Sequence, residues 1–180
     1  LLPHLIEANL FQAFSVVLPF RDMIPFPKNK FITEKSLHLI AEGCRSSYEF
    51  TEIAISIGLL DIVFDILNNE IDSFDPKTPY TLTLIGIVKN GFKFFVNLLC
   101  RPDIGESINP GDIITLMVEC LRNGTHFDEC ATSYLYKLFT CCERSREFYL
   151  SLDVFPVLWE RVSTSSYKTE KSYVNTFKLL

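Results

Sequence analysis

Residues 58–67 read Gly-Leu-Leu-Asp-Ile-Val-Phe-Asp-Ile-Leu, and this stretch has a pattern that recurs along the chain. After the first residue come two apolar positions, one skipped, two apolar, two skipped and two apolar, which form a broad stripe on one side of an α-helix. The same pattern follows Asn9, Asp112 and Asp153. In the four blocks, 23 of 24 stripe positions are apolar in a chain that is 48% hydrophobic, and the exception is Arg161. The pattern predicts repeated buried helices.

Residues that favour helix starts occur just before each block and again at one place downstream of each block. Asn and Asp accept hydrogen bonds from the backbone N–H groups that a helix leaves unpaired at its start, and Gly adopts conformations that other residues avoid. Thr or Asp recurs downstream of each block, with Glu next to it in three of the four cases and Pro in the other. We therefore predict further helix starts at Thr33, Thr78, Asp128 and Thr169.

A third element is the pattern Cys-x-x-Ser-x-Glu-Phe, which begins at Cys44 and at Cys142 and precedes a block each time. Residues 91–99 are expected to play the same part in the middle of the chain, followed by a loop at residues 101–110. The repeating unit is then a short helix, a buried helix and a long helix.

The blocks are separated by 49, 54 and 41 residues, which is typical of a helical repeat array. We expect one domain of about four repeats, with approximate bounds 1–45, 46–90, 91–143 and 144–180, of which the first and last are incomplete. The chain ends on an apolar helical pattern at Leu179 and Leu180, where a terminal repeat should be polar. It is therefore expected to be a fragment of a longer array.

Composition narrows the class of protein. Strand signals are poor, so the fold class is all-α. The net charge is −5 with no dense run of Lys or Arg, which argues against nucleic acid as a partner. No stretch of 18 or more residues lacks a charge, so no membrane span is expected. Six cysteines scattered through predicted helices favour free thiols in a reducing compartment, which is the cytoplasm or the nucleus.

The order of helices resembles the armadillo repeat family, most closely over residues 128–162. Residues 145–152 match the family's short first helix, and Gly58 stands where the family usually has a glycine; the apolar positions of the third helix are matched by Ala131, Leu135 and Leu138. HEAT repeats, with two helices per unit and a similar period, are the near alternative. The resemblance implies a right-handed α-solenoid whose third helices line a concave groove that binds peptides or partner domains.

The resemblance also implies which residues face that groove. They fall two, six and nine residues after Ser36, Thr81 and Ala131, and they are His38, Glu42, Arg45, Thr83, Ile87, Asn90, Ser133, Lys137 and Thr140. Nuclear-import adaptors of the family have Trp and Asn at the first two of these sites. Neither is present here, so a reader of basic targeting peptides is not expected.

Two surfaces remain open as the place where a partner binds. The groove set contains Arg45 and Lys137 against a single acid, Glu42, and Lys178 would extend it. Such a groove favours an acidic or phosphorylated peptide. The alternative surface is the Pro- and Phe-rich loop at residues 19–32, on the same edge as the loop at residues 68–77. Apolar residues in such loops either fold back on the core or contact a partner.

Catalytic signals are weak. His126 and Cys130 could suggest a zinc site or a nucleophile pair. However, Cys130 and Cys141 lie about 16 Å apart along one predicted helix and cannot share an ion, and Asp128 is better explained as a helix cap. No nucleotide-binding or hydrolase motif is present. We therefore expect no metal, no cofactor and no enzymatic activity.

The function expected from the sequence is a scaffold that binds another protein. The alternative is an accessory helical domain of a larger enzyme or regulator, such as a nucleotide exchange factor or a cytoskeletal assembly factor. If the blocks are aligned correctly, one set of stripe residues should be buried: Leu60, Ile66, Ile114, Leu121, Phe155 and Val162.

Overall fold

The computed structural model describes residues 28–105, 108–122 and 126–164, with isolated positions nearer the ends (13, 14, 17–19, 174, 176 and 178–180). Within these residues the protein is all-helical, without strands, so the all-α prediction is confirmed there. The helices are α1 (Lys28–Ser46), α2 (Tyr48–Ser56), α3 (Leu59–Asp72), α4 (Thr81–Leu99), α5 (Pro102–Gly105), α6 (Pro110–Arg122), α7 (Asp128–Cys141), α8 (Glu143–Ser151) and α9 (Val154–Ser163).

The chain divides into two compact units, unit 1 (Leu1–Leu98) and unit 2 (Leu99–Leu180). Two of the predicted repeat boundaries lie close to helix ends: residue 45 is near the end of α1, and residue 143 is the first of α8. The boundary between residues 90 and 91 falls inside α4, which is one continuous helix. The predicted short helix at residues 91–99 is therefore the second half of α4. The short helix at this point of the chain is α5, which lies within the predicted loop.

The stripe pattern correctly identifies the inward sides of three helices. All eighteen stripe positions of α3, α6 and α9 are buried or half-buried, whereas most of the block after Asn9 lies outside the described residues. Of the six residues chosen as a test, none is exposed. Ile66, Ile114 and Leu121 are fully buried, and the half-buried ones are Leu60, Phe155 and Val162.

Two of the block-opening residues adopt the left-handed conformation. Gly58 (φ 74°) precedes α3, and Asp153 (φ 54°) precedes α9, 95 residues later in the chain. Neither makes a side-chain capping bond. These residues turn the chain between a short helix and a buried helix, so backbone conformation is what they share. Asp112 is not a cap, because α6 begins at Pro110 and Asn109 Oδ1 accepts the Gly111 N–H at 3.0 Å.

Of the second set of predicted helix starts, Asp128 is confirmed as the first residue of a helix, whereas Thr33 and Thr78 are misplaced. Thr33 lies inside α1, where its hydroxyl donates to the Asn29 carbonyl oxygen at 2.8 Å. Thr78 precedes the first residue of α4 by three positions. Asp128 is the first residue of α7, after the cap Phe127. Thr169 lies outside the described residues. Helix starts are hard to place from these residues because Thr and Asp side chains also form hydrogen bonds at other positions, within a helix or between helices.

The shared Cys-x-x-Ser-x-Glu-Phe pattern marks the short helices but is out of register between them. Ser47 caps α2 and accepts the Phe50 N–H at 3.1 Å. The residue in the equivalent place before α8 is Cys142, 95 residues after Ser47. The pattern would instead equate Cys142 with Cys44, which lies three positions earlier, inside α1. The spacing of the left-handed residues, and not the motif, gives the structural correspondence.

Helix α4 contacts two other helices of unit 1, α1 and α3. It packs against α3 where the rings of Phe64 and Phe95 meet edge to face at 6.2 Å, and where Gly91 faces the Leu67 side chain. Among the described residues, α4 is the single helix whose length and composition would suit a membrane crossing, and 67% of its apolar window is buried inside the protein. A buried core helix has the same properties, so the expectation of no membrane span stays a prediction.

Candidate partner-binding face

Helices α1 and α4 lie side by side and parallel in unit 1. Asn90 Nδ2 donates to the Glu34 carbonyl oxygen at 3.4 Å, and Asn97 Nδ2 donates to the Ala41 carbonyl oxygen at 2.9 Å. The contacts advance by seven residues along both helices, so both run in the same direction. Gly86 permits this approach, because a Cβ atom there would lie 2.7 Å from Glu34 Oε1. The two helices thus present one continuous face.

Charge is divided between the helices of unit 1. Together α1 and α4 contain six basic and two acidic residues, whereas α2 and α3 contain six acidic residues and no basic ones. The acidic set is Glu49, Glu52, Asp61, Asp65, Glu70 and Asp72. One ion pair links the two groups, since Lys30 Nζ lies 2.6 Å from the buried Glu70 Oε1. The remaining basic residues of α1 and α4, which are Lys28, Lys35, Arg45, Lys89 and Lys93, are exposed or half-buried.

Six of the charged or titratable residues that these two helices expose or half-bury define what we call the α1/α4 face, and the half-buried acid Glu34, which pairs with Lys35 at 3.5 Å, lies next to it. Its members are Lys35, His38, Glu42, Arg45, Lys89 and Lys93. Apolar side chains accompany them, since Leu39 of α1 and Leu82 of α4 are exposed. The α1/α4 face thus combines cations with apolar surface.

Glu42 is the centre of this face. Its Oε2 atom accepts from Arg45 Nε at 2.8 Å, and its Oε1 atom accepts from Lys93 Nζ. These bonds hold the pKa of the Glu42 carboxyl below its usual value, with Lys93 as the larger cause and Arg45 as the next. Glu42 is therefore ionised at neutral pH, and its carboxylate binds one cation of α1, Arg45, and one cation of α4, Lys93. Lys35 and Lys89, both exposed, lie outside this cluster.

The predicted groove positions in α1 and α7 differ in how far they are exposed to solvent. In α1, His38 and Arg45 are exposed and Glu42 is half-buried, so the three reach the surface. In α7, Ser133 and Lys137 are half-buried and Thr140 is exposed. The α7 positions lie 95 residues after those of α1, which is also the spacing of the left-handed residues. Their role in partner binding stays a prediction.

The α4 positions were placed in the wrong register. Thr83, Ile87 and Asn90 are all buried, so they offer no surface to a partner. The contact between Glu42 and Lys93 shows that Lys93, six residues beyond Ile87, is the α4 position level with Glu42. A shift of six residues rotates a side chain by about 600°, or about 240° beyond one full turn, which turns the intended face inward. The helix starts predicted at Thr33 and Thr78 are both misplaced, so they could not align the two helices.

Part of the alternative surface at the predicted loops belongs to helices. Residues 28–32 belong to α1, with Phe31 and Ile32 exposed, and the Phe31 ring meets the Tyr80 ring edge to face at 6.2 Å. Residues 20–27 lie outside the described part of the chain. In the second loop, Ile71 is buried in α3 and Phe74 is half-buried. The apolar residues of the second loop therefore fold back on unit 1.

The residues considered for chemistry in unit 2 have structural roles. Asp128 and Arg161 form an ion pair between α7 and α9. Cys130 is buried, and its Sγ lies 3.0 Å from the Phe127 carbonyl oxygen that it donates to. Burial raises the pKa of Cys130 to about 12, which is opposite to the shift that activates a nucleophile. Within the described ranges, no three His, Cys, Asp or Glu residues are grouped to hold a metal ion.

Arg161 was the one charged residue in the stripe positions, and its partner was missed. A charge in a buried column needs a counter-charge. Arg161 among otherwise apolar positions is therefore the sequence signal for a buried ion pair, and its partner is Asp128, which the sequence suggests only as a helix cap.

Comparisons of this chain with protein-family models, curated proteins and solved structures find no match. The family is therefore not shown, and the armadillo resemblance stays an expectation. Function is inferred from the α1/α4 face.

Proposed function

We propose that the protein is a non-enzymatic scaffold of the armadillo type, acting in the cytoplasm, that binds an acidic or phosphorylated segment of another protein. The α1/α4 face is the proposed binding surface. The observation that supports it is the division of charge in unit 1, where cations gather on α1 and α4 although the whole chain has a net charge of −5.

The geometry of the face suits a flexible anionic segment. Lys35 and Lys89 project from two parallel helices, and Glu42 holds Arg45 and Lys93 in place beside them. Ammonium and guanidinium groups bind carboxylates and phosphates through charge-assisted hydrogen bonds. The exposed Leu39 and Leu82 offer contact to apolar side chains of the same segment. Charge would provide attraction, and the apolar contacts would add affinity that salt does not screen.

The test uses fluorescence anisotropy with three labelled peptides of equal length, one rich in glutamate, one phosphorylated on serine, and one with glutamine in place of glutamate. The first two should bind at least tenfold more tightly than the glutamine peptide, a difference of about 1.4 kcal/mol. Raising the salt concentration should weaken both. Equal binding of all three peptides would contradict the proposal.

Two charge-reversal variants test whether the peptide binds to the α1/α4 face. The double variant Lys35→Glu/Lys89→Glu removes two cations of the face without touching the Glu42 cluster, and it should weaken peptide binding about tenfold or more. The matched control is Lys77→Glu/Arg122→Glu, which makes the same charge change at exposed positions outside the face. If the control weakens binding as much as the face variant does, only the net charge matters and the proposed surface is wrong.

A further inference from the structure

The Glu42 carboxylate bridges two cations that come from different helices. Arg45 Nε donates to Glu42 Oε2 at 2.8 Å, and Lys93 Nζ donates to Glu42 Oε1. Arg45 belongs to α1, as Glu42 does, and Lys93 belongs to α4. Glu42 thus occupies the position in which an anion bound by both cations would lie.

This cluster is open to solvent. Arg45 is exposed, and Glu42 and Lys93 are half-buried. Lys89, which is also exposed, lies one turn before Lys93, and residues four apart in a helix are neighbours on its surface. An anion from solution can therefore reach the cluster, and the displaced Glu42 side chain can turn toward water without leaving a buried charge.

A carboxylate and a phosphate group compete differently with Glu42. A glutamate side chain of a peptide presents the same group as Glu42, so it gains no new hydrogen bond by displacing Glu42 and still loses its own freedom of motion. A phosphate monoester has a charge of about −1.5 to −2 at pH 7 and three strong acceptor oxygens. It can accept charge-assisted hydrogen bonds from Arg45, Lys93 and Lys89 together.

We propose that Glu42 makes the α1/α4 face selective for phosphorylated segments over carboxylate-rich ones, because a phosphate group displaces Glu42 from Arg45 and Lys93 and a carboxylate does not. This inference rests on the proposed peptide binding and narrows its ligand to a phosphopeptide. Glu42 is then the residue that determines specificity, and the cations around it supply the attraction.

The test compares the phosphoserine, glutamate and glutamine peptides by fluorescence anisotropy. The wild type should bind the phosphoserine peptide about tenfold or more tightly than the glutamate peptide, because phosphate has the greater charge and one more acceptor oxygen. Glu42→Gln removes the competing carboxylate. The glutamate peptide should then bind about tenfold more tightly than before, and the ratio between the two anionic peptides should fall to about threefold or less.

Glu34→Gln is the matched control. Glu34 lies in the same helix and pairs with Lys35 at 3.5 Å, so its substitution removes the same charge without touching Arg45 or Lys93. It should strengthen the binding of both anionic peptides by the same factor and leave their ratio unchanged. A ratio that falls equally in both variants would overturn the inference, and so would a ratio that Glu42→Gln does not change.

Inorganic phosphate and acetate, compared at equal ionic strength, separate specific binding from charge screening. Phosphate should displace the phosphoserine peptide and acetate should not; equal displacement by both would overturn the inference. Phosphate should also bind about tenfold or more weakly than the peptide, because the exposed Leu39, three residues before Glu42, adds apolar contact. Equal affinity would mean that free phosphate is the ligand, which would overturn the assignment of a phosphopeptide.

The wild-type measurements distinguish failure of this inference from failure of the proposed function. If the phosphoserine and glutamate peptides bind equally, and both more tightly than the glutamine peptide, the proposed function stands and the selectivity assigned to Glu42 is wrong. If neither binds more tightly than the glutamine peptide, the proposed function fails and this inference fails with it. Neither outcome depends on the folding of a variant.

Discussion

Replacing Arg161 by Met should strongly destabilise unit 2. Arg161 and Asp128 join α9 to α7, and their side chains are only 11% and 3% exposed. The substitution keeps most of the volume of the side chain but leaves the Asp128 carboxylate buried without its cation. Removing one partner of a buried ion pair costs about 3–5 kcal/mol, so the loss of stability should fall in that range.

The assay is urea unfolding followed by tryptophan fluorescence. Trp159 is the single tryptophan of the chain and lies two residues from Arg161 in α9, so its signal reports on this unit. With a slope of about 2 kcal/mol per molar urea, the midpoint should fall by about 2 M. The double variant Asp128→Leu/Arg161→Met should recover much of the loss, because it removes both charges.

An exposed pair provides the control. Arg45 and Glu42 also form an ion pair, but their side chains are 63% and 31% exposed. Arg45→Met should therefore cost less than about 1 kcal/mol, measured by circular dichroism. If Arg161→Met costs no more than Arg45→Met, or if the double variant is as unstable as the single one, burial of the pair does not determine its contribution and the reasoning is refuted.

Three further predictions concern stability. Ile114→Ala should cost about 2–5 kcal/mol, and Leu60→Ala about half as much because Leu60 is only half-buried; equal losses in urea unfolding would argue against the stripe register. Gly58→Ala should cost about 1 kcal/mol by the same measurement, because φ is 74° and a Cβ there meets no other atom, so a neutral result would mean that the turn readily changes conformation. Burial raises the pKa values of Cys100 and Cys130 to about 12 in the folded protein, from an ordinary value of 9.0, so the unfolded chain loses these protons first as pH rises. The contribution of these thiols to stability should therefore be constant below pH 9 and fall between pH 9 and 12, and a melting temperature that does not decrease between pH 9 and 11 would contradict this.

The buried sides of the helices could be predicted from sequence because they depend on local spacing. In α3, α6 and α9 the stripe residues are the inward residues, since apolar side chains at helical spacing have one way to leave water. Helix ends were less predictable. Thr33 can cap a helix or bond within one, and only the packed structure shows that α1 begins earlier, at or before Lys28.

The candidate face was predictable in α1 but not in α4. The charges of Arg45 and Glu42 are visible in the sequence, and in the structure Arg45 is exposed and Glu42 is half-buried. In α4, the residues aligned from the misplaced helix starts, Thr83, Ile87 and Asn90, are buried. The contact of Glu42 with Lys93 joins residues far apart in the chain, and no local pattern reports such a contact. The pairing of Asp128 with Arg161 is of the same kind.

The short helices also have a consequence for how this chain can change over evolutionary time. Ser47 and Gly58 bracket α2, and Cys142 and Asp153 bracket α8, with nine helical residues between them in each case. The residue types differ between the two copies while the length does not. An inserted residue would rotate the following buried helix away from its core, whereas the connection between α3 and α4 can lengthen at small entropic cost. Substitutions should therefore accumulate within these segments, and insertions and deletions should accumulate in the connections between them.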